Sequence, residues 1–452
     1  MFEKEMKTML GDYALIPKES LWALIPMLVY IVIAFKPKAH AVTAGLLAVI
    51  TGYFLTGQTP ALFAKTVTKS LSSTLGVIGL IIMCGAGLGA VMSEAHVSHT
   101  FVKWIIKYIG VKTEKRAIIC VIVTTTLICG FLGTLAGGCA IVAPILIPVV
   151  ATAGLKPATV AALFQSSGET GLIWGPFTGP TVALLAITGL SYGRMMLWAA
   201  IPYGIIWLVV IYFVGCRIQK NPSYDEKYEI GEDESTEIEI TEREKLTTIA
   251  FALGFIGLLI YSMLTKQSTA YTIFVMLVLM LEITIVSGIG LTKAINSFVK
   301  GMGSMAGTFF LFILLDVMLQ YINYGRGFEA LGALFLSLAG EGSRAMVVIM
   351  GTLVGSFGIN GGAVAQLKVT NDLFIDALKA TQVPMEVWAL ALICGSRVTT
   401  SIYPGSNMIA PMGLARSESL KAMLFGGWAV SLISIIFIIL WAIIGMPIFF
   451  PV

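Results

Sequence analysis

Two charged residues stand inside segments that are otherwise written for a lipid environment. Glu169 lies in SSGETGLIWGPFTGP (166–180), and Arg397 lies in GSRVTTSIYPGSNMIAP (395–411). An ionisable group at membrane depth costs roughly 2.5–3.5 kcal/mol on insertion scales, so each reads as functional. Both stretches are rich in glycine, proline and hydroxyl residues, which a continuous membrane helix would not be. A carboxylate beside the free carbonyls of a broken helix suits a bound Na⁺ or a proton, and Glu169 is the candidate, including as an Na⁺ ligand. A guanidinium among hydroxyls and helix N-termini suits a carboxylate, and Arg397 with Ser396, Thr399 and Thr400 is the candidate. Arg397 could equally serve as the internal partner of an acid such as Glu169.

Further polar residues surround these two. Ser166, Ser167 and Thr178 belong to the first stretch, and Ser406 and Asn407 follow Pro404-Gly405 in the second. Thr134 and Asn360 sit in the glycine-rich runs GFLGTLAGG (130–138) and GSFGINGG (355–362). They could offer hydroxyl or amide groups to a substrate, or serve turn chemistry, since Asn tolerates left-handed backbone. Asp316 stands alone in FLFILLDVMLQYI, facing either a pore or a neighbouring cation such as Lys368. Lys368 and Asp372 are four residues apart, the spacing of a helical ion pair. Asp316 and Asp372 join Glu169 as candidate acids for a coupling ion. Trp174 and Tyr403, beside the two breaks, either wall a cavity or pack. Glu282 is expected near the inner interface.

Composition sets the class. The chain has 452 residues, 57% hydrophobic and 12% charged, with a net charge of +4. Its mean hydropathy is +0.91. A soluble protein carries about 25% charged residues. This one is therefore an all-α polytopic membrane protein, with no partner among nucleic acids. No signal-peptide pattern follows the charged first 20 residues. The six cysteines lack zinc spacing and read as packing residues. No nucleotide loop, metal cluster, nucleophile–base pair or repeated selectivity filter is present, which sets aside an enzyme, an ATP-driven pump and a channel. No cofactor is expected beyond transported Na⁺ or H⁺.

The elements that must position these residues occur twice. After an N-terminal segment (1–20), a first half (21–216) has spans near 21–35, 39–57, 71–93, 158–188 and 193–216. An amphipathic interfacial helix is expected at 97–110. A re-entrant hairpin is expected at 117–152, with two arms of about 14 residues, each too short to span a bilayer. An acid-rich linker (217–245) follows and reads as solvated and partly disordered. The second half (246–452) has spans near 246–264, 271–289, 303–323, 384–413 and 420–445, an interfacial segment at 326–340 and a hairpin at 344–376. Gly137-Gly138 answers Gly361-Gly362, Pro157 answers Pro384, and Gly168 answers Gly395. The broken helices are 158–188 and 384–413. Two matching broken helices are the best sequence pointer to a secondary transporter's site. Lys103, Lys107, Lys112, Lys115 and Arg116 place the connection 94–116 in the cytoplasm. The linker is then cytoplasmic and both termini lie outside. Five spans per half make the repeats inverted.

This layout resembles the ion transporter superfamily, which includes gluconate permeases, sodium/proton antiporters of the NhaC type and divalent-anion/sodium symporters. Gly179-Pro180-Thr181 resembles the PGPT segment of gluconate permeases. Gly395-Ser396 with Ile409-Ala410-Pro411-Met412 resembles their GSATVA…IVAP segment. The Ser-Asn-Thr signature of dicarboxylate symporters is absent from both tips, and so is the GDK…SP motif of the NhaC type. The resemblance implies a multi-pass protein of the inner membrane in which one half of the fold moves against a scaffold that also forms a homodimer. The reading that follows is a secondary active transporter of a small organic anion, coupled to Na⁺ or H⁺ by alternating access. The alternative is an Na⁺/H⁺ antiporter with no organic substrate, in which Glu169, Asp316 and Asp372 exchange the ions.

Overall fold

The computed structural model describes residues 10–11, 13–34, 41–229, 240–265, 267–328, 330–331, 343–357 and 363–451. Among these residues there is no strand, and the regular elements are helical. In the first half they are α1 (Ile25–Ala34), α2 (Ala41–Leu55), α3 (Pro60–Leu71), α4 (Thr74–Glu94) and α5 (Val97–Ile109). There follow α6 (Glu114–Leu132), α7 (Leu135–Thr152), α8 (Pro157–Trp174), α9 (Gly179–Thr188) and α10 (Tyr192–Lys220). In the second half come α11 (Glu242–Thr265), α12 (Tyr271–Ser287), α13 (Leu291–Ser304) and α14 (Ala306–Tyr324). The last are α15 (Arg344–Ser356), α16 (Ala363–Thr381), α17 (Met385–Ile402), α18 (Ser406–Leu414) and α19 (Leu420–Phe449).

Seven of these helices are long and apolar enough to cross a membrane, or eight if the bent pair α8 and α9 is one span. That set differs from the ten spans expected. The elements at 21–35, 39–57 and 271–289 are short apolar helices, and 384–413 is divided into α17 and α18. The arms of the first hairpin, in contrast, are longer than expected. Thr113 caps α6 by accepting from the Arg116 N–H at 3.4 Å, which draws Glu114, Lys115 and Arg116 into its first turn. Helix α7 continues through Pro144 and Pro148. At 19 and 18 residues, α6 and α7 are each long enough to cross a membrane, contrary to the sequence expectation. They pack on each other, and Gly133, at φ 68°, turns the chain back between them.

Two elements have no counterpart in the sequence reading. Helix α3 starts at a Thr59 cap followed by Pro60 and packs on α14. Helix α13 buries Ala294 and Phe298 and lies along α4.

The helices pack in two groups. Helices α1–α4 and α11–α14 pack among themselves and form a frame. Helices α6–α10 and α15–α19 form a second group that carries both broken helices. Helix α5 touches both, through α4 and α11 on one side and α6 and α7 on the other. The linker is shorter than 217–245, because α10 runs to Lys220 and α11 begins at Glu242. Its first part is engaged rather than free. Asp225 lies 3.7 Å from Lys156, and Glu226 accepts from the Ser417 hydroxyl at 2.7 Å and the Glu418 N–H at 2.9 Å. The half-buried Tyr228 phenol, its pKa raised by desolvation, donates to the Ala415 carbonyl at 3.0 Å.

Glycines allow close helix crossings in the second group. A Cβ on Gly171 would stand 2.3 Å from the Thr126 carbonyl oxygen, so α6 and α8 meet backbone to backbone. Gly355 and Gly395 do the same for α15 and α17, where a Cβ on Gly395 would be 3.0 Å from the Gly355 Cα. Hydroxyls cross-link both contacts. Thr126 donates to the Ser167 carbonyl at 3.1 Å, and Thr399 donates to the Gly355 carbonyl at 2.6 Å.

Candidate functional site

The break between α8 and α9 covers residues 175–178, and the break between α17 and α18 covers 403–405. A helix that stops among apolar neighbours leaves carbonyls without partners, and each must find a donor. Side chains supply them here. Thr178 donates to the Gly175 carbonyl at 3.1 Å, and Thr181 to the Ile173 carbonyl at 2.9 Å. The Tyr192 hydroxyl donates to the Trp174 carbonyl. In the second break the Trp428 indole donates to the Ile402 carbonyl at 2.7 Å. Trp174 itself donates to the Ala200 carbonyl at 2.8 Å, with its ring laid over Gly204. The polar residues at the first break are thus largely committed to holding it open.

The two broken helices cross in complementary fashion, α8 packing against α18 and α9 against α17. This brings Glu169 of α8 to Arg397 of α17, although 228 residues separate them. Their side chains are 0% and 1% exposed, and Arg397 Nη1 donates directly to Glu169 Oε2. Asn407, at the start of α18, donates to Glu169 Oε1 at 2.8 Å. Arg397 Nε donates to Ser396 Oγ at 3.3 Å. Arg397 Nη2 is buried and has no partner among the described residues. Of the two sequence readings of Arg397, the internal pair with Glu169 is the one this conformation displays.

The remaining candidates are dispersed. Thr399 and Thr400 flank the pair, and Thr400 donates to the Arg397 carbonyl at 2.9 Å. Ser166 and Ser167 are buried on α8, and the Ser167 hydroxyl has no partner among the described residues. Thr178 is spent on the first break, Ser406 is exposed at the start of α18, and Thr134 is half-buried at the turn between α6 and α7. Asn360 lies outside the described residues. Asp372 is held by Lys368 at 2.7 Å on α16. Asp316 does not meet Lys368 in a salt bridge. It accepts instead from Gln320 at 2.7 Å, in a buried cluster where Gln320 also donates to Ser70 of α3 at 2.8 Å. That cluster belongs to the frame, because Gln320, one turn along from Asp316, already directs its amide at both groups.

Two residues escaped the sequence reading. Gln165 donates to the Thr400 carbonyl at 3.1 Å, tying α8 to α17. Gln366 of α16 donates to Thr399 Oγ1 at 2.8 Å, and its Oε1 is buried without a partner among the described residues. The available signal was a neutral amide, next to the first polar stretch for Gln165 and on a hairpin arm for Gln366. Among the described residues no group of three or more metal-ligating side chains occurs.

Residues 21–365 match the family model described as the tripartite ATP-independent periplasmic transporter, DctM component. The chain belongs to the DctM family. This DctM protein is thus a multi-pass membrane protein of a secondary transporter family. The matched span includes Glu169 and ends before α17, so Arg397 lies beyond it. No curated protein matches the sequence. Two solved transporter structures share the fold. One is the YdaH transporter of Alcanivorax borkumensis, at a TM-score of 0.59 and 15% identity, over 94% of this chain and 98% of that one. The other is MtrF of Neisseria gonorrhoeae, from a class described as antimetabolite efflux pumps. There the TM-score is 0.57 and the identity 16%, over 99% of each chain. The DctM family is not among those that the sequence motifs resemble. The finding supports the expected class, a secondary transporter, but not the gluconate permease, NhaC-type antiporter or divalent-anion symporter families.

Proposed function

We propose that this DctM protein is the membrane-embedded, substrate-moving part of a transporter for a small organic anion, coupled to Na⁺ or H⁺. The observation that carries the reading is the buried Glu169–Arg397 pair where the two broken helices cross. A guanidinium with one unpartnered nitrogen is a receptor for a carboxylate, and a buried carboxylate beside it is a receptor for a cation. Support also comes from the division into two packed groups. The group with the broken helices would move against the frame, alternately opening the site to each side. The two halves are read as inverted repeats (21–216 and 246–452), in the inner membrane, with a homodimer as the expected arrangement. The family description names a tripartite, ATP-independent system, so further components are expected to assemble with this chain.

The test is uptake by the assembly purified through a tag on this chain and reconstituted in liposomes. Gluconate, lactate, C4-dicarboxylates, citrate and short fatty acids would be offered under an Na⁺ or pH gradient. Accumulation of one anion, lost in Arg397→Ala, is the expected result. No uptake of any anion, with Na⁺ collapsing an imposed pH gradient, would instead establish the antiporter, which the family does not favour.

A further inference from the structure

Neither Glu169 nor Arg397 has another ion-pair partner among the described residues, and both are almost wholly inaccessible. The charge of the site is therefore balanced by this pair alone. Suppose a cation binds Glu169 by itself. The guanidinium then remains buried and unpaired. Suppose an anion binds Arg397 by itself. The carboxylate of Glu169 is then left in the same condition. An uncompensated buried charge weakens either single event by on the order of a hundredfold or more. Joint arrival exchanges one pair for two and leaves no charge uncompensated.

We propose that the Glu169–Arg397 pair is a charge lock, opened only when a monovalent cation and a monocarboxylate bind together. This rests on the reading of the site as an anion site, and adds to it the origin of coupling and the charge of the substrate. Three observations carry it. Arg397 Nη2 is buried without a partner, so the guanidinium can take up a second acceptor before it releases Glu169. Asn407 donates to the other oxygen of Glu169 from the half-buried start of α18, so a neutral amide, which carries an acceptor oxygen as well as the donor, adjoins the carboxylate. The other charges of α16 and α17 are already matched. Lys368 is held by Asp372, Lys379 by Asp376, and Glu386 by Arg194. Neither helix thus offers a spare positive charge beside Arg397 for the second carboxylate of a dicarboxylate. Asp316 sits in the frame with Gln320 and takes no part.

The experiment is titration calorimetry on the full chain in lipid nanodiscs, with lactate, propionate, gluconate and succinate as probes. Each is titrated with and without Na⁺, at pH 6 and pH 8. In the wild type one monocarboxylate should bind at least a hundredfold more tightly when the coupling cation, Na⁺ or H⁺, is abundant. Glu169→Gln should bind the same anion without that cation, because its guanidinium is already free. The double variant E169Q/R397Q should remain folded and bind none. Cation-independent binding in the wild type, or a preference for succinate, would overturn the lock while leaving the anion site standing. Persistence of the cation effect in E169Q would do the same. If no anion binds under any condition, the anion site itself fails and the lock with it. The wild-type arm decides even if a single variant does not fold.

Discussion

Glu169 divides its two carboxylate oxygens between two partners, Arg397 on one and Asn407 on the other. Removing either charge of a buried pair leaves the other uncompensated, at a cost of about 3–5 kcal/mol. Glu169→Gln and Arg397→Gln should each lower the melting temperature in detergent sharply. The double replacement should recover most of that loss, because it leaves no isolated charge. Asn407→Ala removes a hydrogen bond to a charged group and should cost about 1.5–3 kcal/mol. Equal losses for the double and single variants would mean that the pair's geometry, not its neutrality, holds the crossing. Glu169 and Arg397 were legible in the sequence because a charge in an apolar run has no bland explanation. Gln165 and Gln366 were not, because a neutral amide beside other polar residues raises no comparable alarm. The partner of Asp316 was not legible for a related reason: a neutral amide one turn away draws no notice beside a pore or a distant lysine, and only packing shows it.

Helices α17 and α19 meet where Gly427 lets the Ser401 carbonyl approach. A Cβ there would stand 1.9 Å from that oxygen. Gly427→Ala should push α19 away and cost about 1–3 kcal/mol, with the Trp428 bond to Ile402 weakened too. Gly257→Ala in α11 meets nothing within 4 Å and should be neutral or stabilising by up to about 1 kcal/mol. Thermal unfolding of both variants beside the wild type checks the contrast. Helix α5, outside the membrane-crossing set, supplies a pH dependence. Burial, with His96 and Lys103 nearby, lowers the pKa of His99 below the ordinary 6.5, while Glu244 opposes the shift. The unfolded chain therefore takes up this proton more readily than the folded one. Stability is full above about pH 6.5 and declines as pH falls through that value toward the lower folded one. His99→Gln should flatten that decline, measured as the melting temperature at pH 7.5 against pH 5. At this scale the broken helices were legible from their glycines and prolines. The lengths of α6 and α7 were not, because a capped charged turn extends α6 beyond its apolar run and α7 continues through two prolines.

The whole molecule divides into a frame and a group that carries both breaks, and that division invites a mechanical test. Gly89 of α4 and Leu132 of α6 join the two groups, with a Cβ on Gly89 placed 3.7 Å from the Leu132 Cβ. Gly45 of α2 and Leu314 of α14 lie within the frame, at 3.4 Å by the same measure. Both separations suit a disulfide. Oxidising G89C/L132C should abolish anion uptake reversibly, whereas G45C/L314C should leave it unchanged. Transport that survives the first cross-link would show that these groups do not move apart at this contact. The transporter class was readable from composition and from the two broken helices, but the family was not. Short motifs such as Gly179-Pro180-Thr181 express the physics of interrupting a membrane helix, which unrelated transporters share. The spacing of Glu169 and Arg397 has one more consequence, for the birth of the protein. A ribosome adds about 5–20 residues per second, so Glu169 emerges on the order of ten to fifty seconds before the arginine 228 positions later. Throughout that interval the insertion machinery, or water held at the nascent break, must shelter a lone carboxylate. The first half therefore holds this carboxylate without its native partner until α17 arrives.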